Sequence, residues 1–95
     1  MSNEETKPAV TKNPDRFELR VDGELVGFAD YQLQGDRMVL PHTEIDPASG
    51  GRGLGGVLVR AALDDVRAQG LKAVPACSFV DHYITRNPEY ADLRA

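Results

Sequence analysis

The chain holds a single cysteine, Cys77, so no intramolecular disulfide framework can staple it. That usage suits a reducing compartment, and a cytoplasmic location is the expectation. Its amino terminus, "MSNEETKPAVTKNP", has no apolar run, so neither a signal peptide nor a membrane partner is expected. Positive charge is in short supply: 11 Lys and Arg face 15 Asp and Glu, for a net charge of −4. A nucleic-acid partner that needs an overall basic surface is therefore excluded, whereas a local basic spot for a phosphorylated ligand is not. Two histidines and one cysteine stand at no ligand-like spacing, so no metal site is expected. Internal repeats are lacking too.

What is there reads as one domain. Its 95 residues, 41% hydrophobic and 27% charged, allow a core of modest size. Residues 1–14 are expected to be a disordered polar tail and residues 15–95 a single domain. "RFELRV" alternates, with Phe17, Leu19 and Val21 on one side and Glu18 and Arg20 on the other, which is strand periodicity. Asp22-Gly23 supplies a hairpin turn, "ELVGFADYQL" a longer strand, and "QGD" at 34–36 a second turn. "RMVLPHTEI" makes a third strand, whose Pro41 predicts a bulge or an unpaired position.

The period then changes. Leu54, Leu58, Ala62 and Val66 recur every fourth residue with Val57 and Ala61 beside them, predicting an amphipathic helix of about four turns closed by Gly70. "LKAVPAC" predicts a short buried strand, "SFVDHYITR" a second helix that stops at Asn87-Pro88, and "PEYADLRA" a last turn. The order β-β-β-α-β-α gives an α+β fold: an antiparallel meander, then a β-α-β crossover with parallel strands, then a C-terminal helix.

Between the third strand and the first helix lies "IDPASGGRGLGGVLV", with glycine at 50, 51, 53, 55 and 56. Unpaired N–H groups and the positive end of the dipole mark a helix start, and glycines let an anion approach them without obstruction. A phosphate or pyrophosphate is the natural occupant, and Arg52 could add a charge-assisted contact. The Walker A loop fails because no lysine follows the glycines. Gly51, Gly53 and Gly56 satisfy the dinucleotide fingerprint, yet residues 68–80 contain no acidic residue to hold a ribose, and the chain is too short for that sheet. Gly53 and Gly55 fit the last two fixed positions of the acetyl-coenzyme A loop, [QR]-x-x-G-x-[GA].

Four linked motifs now stand in order: His-Thr-Glu before the loop, Gly-x-Gly at the helix start, Cys-x-Phe-Val-x-x-Tyr after the next strand, and Pro-Glu-Tyr near the end. With them the segment from Phe17 to Tyr90 resembles the small single-domain N-acetyltransferase-like group of the GNAT superfamily. The resemblance implies a compact GNAT-like fold that binds acetyl-coenzyme A between the third and fourth strands. Thr43, Glu44 and Ile45 would line it, and Arg52, Gly53, Leu54, Gly55 and Gly56 would receive the pyrophosphate. The thioester would then lie near Cys77. Two departures stand out: Gly50 replaces the loop's first glutamine or arginine, and Asp22-Gly23 leaves no room for the two helices that larger members use to bind the acceptor.

The implied activity is transfer of an acetyl group from acetyl-coenzyme A to a primary amine, on a small molecule or on a protein lysine or N-terminus; the acceptor is not readable. A non-catalytic coenzyme A or acyl-coenzyme A binding module is the alternative. Acetyl transfer needs a neutral amine, a polarised carbonyl and a proton for the departing thiolate. N–H groups freed where the parallel strands diverge could polarise the carbonyl. Cys77, where the fourth strand ends and a helix begins, could be a nucleophile, a proton donor or a buried structural thiol. His42 could accept the amine's proton, or simply sit satisfied on a half-exposed sheet face, and Glu44 reads as structural. Tyr83 stands near the position where many superfamily members place a general-acid tyrosine, with core packing as its other role.

Overall fold

The computed structural model describes residues 8–49 and 53–95. Among these residues, β1 (Pro8–Lys12), β2 (Arg16–Val21), β3 (Glu24–Gln34), β4 (Arg37–Ile45) and β5 (Lys72–Val74) form one sheet in chain order. All neighbours are antiparallel except β4 and β5. Helix α1 (Leu54–Ala68) lies across one face of the sheet and contacts all five strands. Helix α2 (Ser78–Arg86) packs on α1 and β4, and 3-10 segments follow β4 (Pro47–Ser49) and α2 (Pro88–Leu93). No helix here is long and apolar enough to cross a membrane.

The alternation of β2 buries Phe17, Leu19 and Val21 as its sequence predicts. Asp22 and Gly23, at φ 54° and 81°, make the two-residue turn that returns the chain at Glu24. The tail expected over 1–14 is corrected at Pro8–Lys12, which pairs antiparallel with β2 from Pro8↔Val21 to Lys12↔Phe17. Only Val10 of this strand packs on the core, so the segment carries almost no apolar signal. Its ladder to β2 and an ion pair of 2.8 Å from Lys12 to Asp65 hold it instead.

Pro41 marks a β-bulge with a functional consequence. Asp30 pairs with His42 while Gln32 pairs with Val39, so Tyr31 alone stands opposite Leu40 and Pro41. The extra residue exchanges the faces beyond it. Met38 and Leu40 are buried against the helices, but afterwards Thr43 and Ile45 continue that inner face, paired with Ala29 and Gly27. His42 and Glu44 point outward with Asp30 and Phe28.

In α1 the expected row of Leu54, Leu58, Ala62 and Val66 is buried. Its companions are Val59 and Leu63, both fully buried, rather than Val57 and Ala61, which are half-exposed. Either row can flank an i, i+4 line, and the way the helix rolls onto the sheet decides between them. Gly70 closes the helix at φ 69°. The crossover then delivers β5, parallel to β4 from Arg37↔Lys72 to Val39↔Val74. On the other edge of β5, Arg94 bridges Ala73 and the Ala95 N–H donates to the Ala73 carbonyl at 2.8 Å.

Candidate active site

Beyond Val39 and Val74 the parallel strands part. One bond still joins them, from the Cys77 N–H to the Leu40 carbonyl at 3.0 Å. Cys77 is the N-cap of α2, in extended conformation at φ −89° and ψ 134°. Its Sγ lies 3.8 Å from Thr43 Oγ1, the side chain that the bulge turns inward. The sulfur is half-buried and closes no capping hydrogen bond, although the N–H groups of the first turn face it as dipoles. Burial pushes the thiol up, but the Val80 and Phe79 N–H groups, with the Thr43 hydroxyl and N–H, outweigh it and hold the thiol below its usual value.

Helix α1 opens against α2, with Gly55 beside the Phe79 ring. Gly53 is its N-cap in the left-handed region, φ 73°, and the Val57 N–H makes a helical bond to the Gly53 carbonyl at 3.3 Å. The N–H groups of Leu54, Gly55 and Gly56 therefore precede the helical ladder. No acidic residue stands in this first turn to compete for them. Gly55 and Gly56 pack against side chains of α2, closely at Gly55 and at ordinary contact distance at Gly56. A Cβ on Gly55 would come within 2.5 Å of the Phe79 ring, and one on Gly56 within 3.4 Å of Tyr83. Phe79 and Tyr83 belong to one face of α2, which with Ser78, His82 and Arg86 lines a cleft of about 440 Å³. Burial raises the Tyr83 phenol, opposed by Arg60 and reinforced by Glu89 and Asp64.

The expected site residues are thus only partly assembled. Cys77, Thr43 and Tyr83 border the parting strands and the α2 cleft, while Gly53, Gly55 and Gly56 form the entry to α1. Leu54 is 6% exposed, so only its backbone faces the entry, and Ile45 packs against the core. Arg52 lies outside the described residues. His42 and Glu44 do not join Cys77: neighbours on a strand project to opposite faces, and Thr43 has taken the inner one. His42 Nε2 and Glu44 Oε2 instead bond to each other at 2.8 Å, beside the Phe28 ring. Glu44 also borders a hollow of about 190 Å³ lined by Leu25, Val26, Gly27, Phe28 and Asp46. Ser78, His82 and Arg86 were given no role from sequence, and Phe79 entered only as a position of the Cys-x-Phe-Val-x-x-Tyr motif. The i, i+4, i+8 spacing of Ser78, His82 and Arg86 was the signal available. Among the described residues, no group of three or more His, Cys, Asp or Glu side chains could hold a metal ion.

A meander, a bulged fourth strand, a glycine-opened crossover helix and a parallel partner that parts from it define a GNAT-type α+β domain. The chain belongs to the GCN5-related N-acetyl-transferase family, whose family model matches residues 16–93. It is 42% identical over 59 residues to Protein NATD1 of Gallus gallus, an alignment covering 61% of this chain and 54% of that protein. The chain thus spans about half the length of the curated relatives it matches. Its fold is similar to a GCN5-like protein from Staphylococcus aureus solved by NMR, with TM-score 0.73 at 21% identity, over 92% of this chain and 87% of that one. It also resembles a GNAT family acetyltransferase from Brucella melitensis solved in complex with acetyl-CoA, with TM-score 0.58 at 21% identity, over 75% of this chain and 49% of that one. At these identities the two structural likenesses speak for the fold.

Proposed function

We propose that this protein is an acetyl-coenzyme A-dependent N-acetyltransferase acting on a primary amine. The observation that carries the reading is the Cys77 thiol at the start of α2, just past the end of the β4–β5 ladder, together with the bare first turn of α1 packed against α2. The residues present fit an elongated phosphorylated thioester. Glycine N–H groups at the α1 entry suit its pyrophosphate, the cleft beside Phe79 and Tyr83 offers length, and Cys77 with Thr43 stands at the inner end. Acetyl-coenzyme A supplies an acetyl group activated as a thioester.

In this reading Cys77 is the nucleophile. Its sulfur bonds to the acetyl carbon as the carbon–sulfur bond to the coenzyme breaks, and its proton passes to the departing thiolate. The amine then takes the acetyl group, the Sγ–carbon bond breaks, and the amine's proton returns to Sγ. The His42–Glu44 pair, on the opposite face of the sheet from Cys77, takes no part in these transfers, so the acceptor need offer only a primary amine. A small molecule, a protein lysine and an N-terminus all present such a group. We place the reaction in the cytoplasm, which keeps a lone thiol reduced.

Calorimetric titration with acetyl-coenzyme A, followed by incubation with a panel of amines and detection of both free thiol and acetylated product, tests the proposal. Binding in the micromolar range with acceptor-dependent thiol release is expected. Binding without turnover on any amine would leave a coenzyme A-binding module as the better account.

A further inference from the structure

Among the described residues some cations meet a carboxylate and others do not. Lys12, Arg16, Arg20, Arg67 and Arg94 each meet a carboxylate. His82 and Arg86 take part in none of the ion pairs or side-chain hydrogen bonds found among the described residues, yet both line the cleft on α2. Arg60, on α1, acts electrostatically on Tyr83 in the same cleft and is likewise unpaired among these residues. The carboxylates of the flanking helices are engaged elsewhere: Asp64 accepts from the Tyr90 hydroxyl, Asp65 meets Lys12, and Asp81 meets Arg94. Glu89 is the remaining carboxylate that acts on Tyr83. Arg86 and His82 therefore line one cleft, with the charges of Arg60 and Glu89 acting on its Tyr83, in a protein whose net charge is −4.

The order of side chains along α2 adds a direction. Ser78 and Phe79 lie at the Cys77 end, Phe79 and Tyr83 face the glycines of α1, and His82 and Arg86 stand one and two turns further out. Moving outward from the α1 entry, a ligand passes an aromatic wall and then meets exposed cations. That sequence of environments matches an adenine nucleotide bearing a phosphate beyond its pyrophosphate, because a planar base covers aromatic rings and a phosphate takes arginine in bidentate fashion.

We propose that Arg86, assisted by His82, recognises the ribose 3′-phosphate of coenzyme A and selects the full cofactor over its dephospho form. The assignment rests on the coenzyme A reading above. It places this selection on the exposed face of α2 and leaves the pyrophosphate to the α1 entry.

The test is calorimetric titration of the full chain with coenzyme A and with dephospho-coenzyme A, for the parent, Arg86→Gln and His82→Gln. Both substitutions fall on exposed helix positions that accept glutamine without loss of helix propensity. The parent should bind coenzyme A about tenfold more tightly than the dephospho form. Arg86→Gln should remove most of that preference, His82→Gln a smaller part, and neither should change affinity for dephospho-coenzyme A. The parent's preference should also shrink as salt is raised from about 0.05 to 0.5 M. Equal affinity of the parent for both ligands overturns the assignment, and so does an Arg86→Gln variant that weakens both ligands alike. A parent that binds neither ligand overturns instead the coenzyme A reading on which the assignment rests.

Discussion

Thr43 Oγ1 and Cys77 Sγ lie 3.8 Å apart, joining β4 just past its bulge to the first residue of the α2 cap. Among the described residues this is the one side-chain hydrogen bond the thiol makes. The hydroxyl accepts from the thiol and can donate to the thiolate. Thr43→Val keeps the shape and removes the hydroxyl, so the thiol should titrate higher and its alkylation at pH 7 should slow about threefold to tenfold. Thr43→Ser should restore both. The sign follows from the lowered thiol: the parent's thiolate survives to a more acidic pH than an ordinary cysteine and is lost as pH falls through that value. Alkylation rates followed between about pH 5 and 10 read it directly, and identical profiles for parent and Thr43→Val would count against the pair.

His42→Ala should leave the Cys77 alkylation profile unchanged, because the imidazole stands on the opposite face of the sheet with Glu44. Stability should change by less than about 1 kcal/mol, as an exposed pair contributes little. The variant should slow neither acetylation of Cys77 nor its discharge to an amine. A shifted thiol profile in His42→Ala would contradict the face assignment.

The faces of β4 show where sequence reasoning stops. Its bounds, Arg37–Ile45, and the irregularity at Pro41 were legible, as were the strands from Arg16 and Glu24, the glycine at the end of α1 and the start of α2 at Ser78. The exchange of faces that the bulge imposes was not, so His42 was set beside Cys77 when Thr43 holds that place. The β1 strand was illegible because one inward residue, Val10, gives no period. The packing of Phe79 on Gly55 needs the crossing of two helices, and no local pattern records that. Chemistry carried by chain order survived the step from sequence to structure better than chemistry that depends on a face.

Gly53 and Gly55 should respond differently to alanine. Gly53, at φ 73° with open space around it, should lose about 1 kcal/mol of stability from backbone strain. At Gly55 a Cβ meets the half-exposed Phe79 ring, which can swing aside, so the stability loss should be smaller and the cleft should narrow or open. Urea unfolding paired with coenzyme A titration separates the two. In the Phe79→Ala background the stability loss from Gly55→Ala should largely disappear, and a persistent loss would exclude the ring as its cause.

Tyr90 ties the C-terminal segment to α1 through its hydroxyl bond of 2.8 Å to Asp64 Oδ1. Burial, then the bond to Asp64 and its charge, pushes the phenol up to about 12. A raised folded-state value means the stabilisation is complete below the unfolded phenol's range, near pH 10, and is lost as pH rises towards about 12. Tyr90→Phe should cost about 1–2 kcal/mol at pH 7 and flatten the alkaline fall in stability, measured by urea unfolding from about pH 8 to 11.5. An unchanged alkaline slope would show that another group governs it.

The central claim is that this fold moves an acetyl group through Cys77, and intact-protein mass spectrometry after incubation with acetyl-coenzyme A alone tests it most directly. The account expects one added acetyl group, located on Cys77 by peptide mapping, absent after prior thiol alkylation and in Cys77→Ala, and discharged when a competent amine is supplied. A parent chain that binds acetyl-coenzyme A yet carries no acetyl group on Cys77, or a Cys77→Ala variant that acetylates amines at the parent's rate, would contradict it.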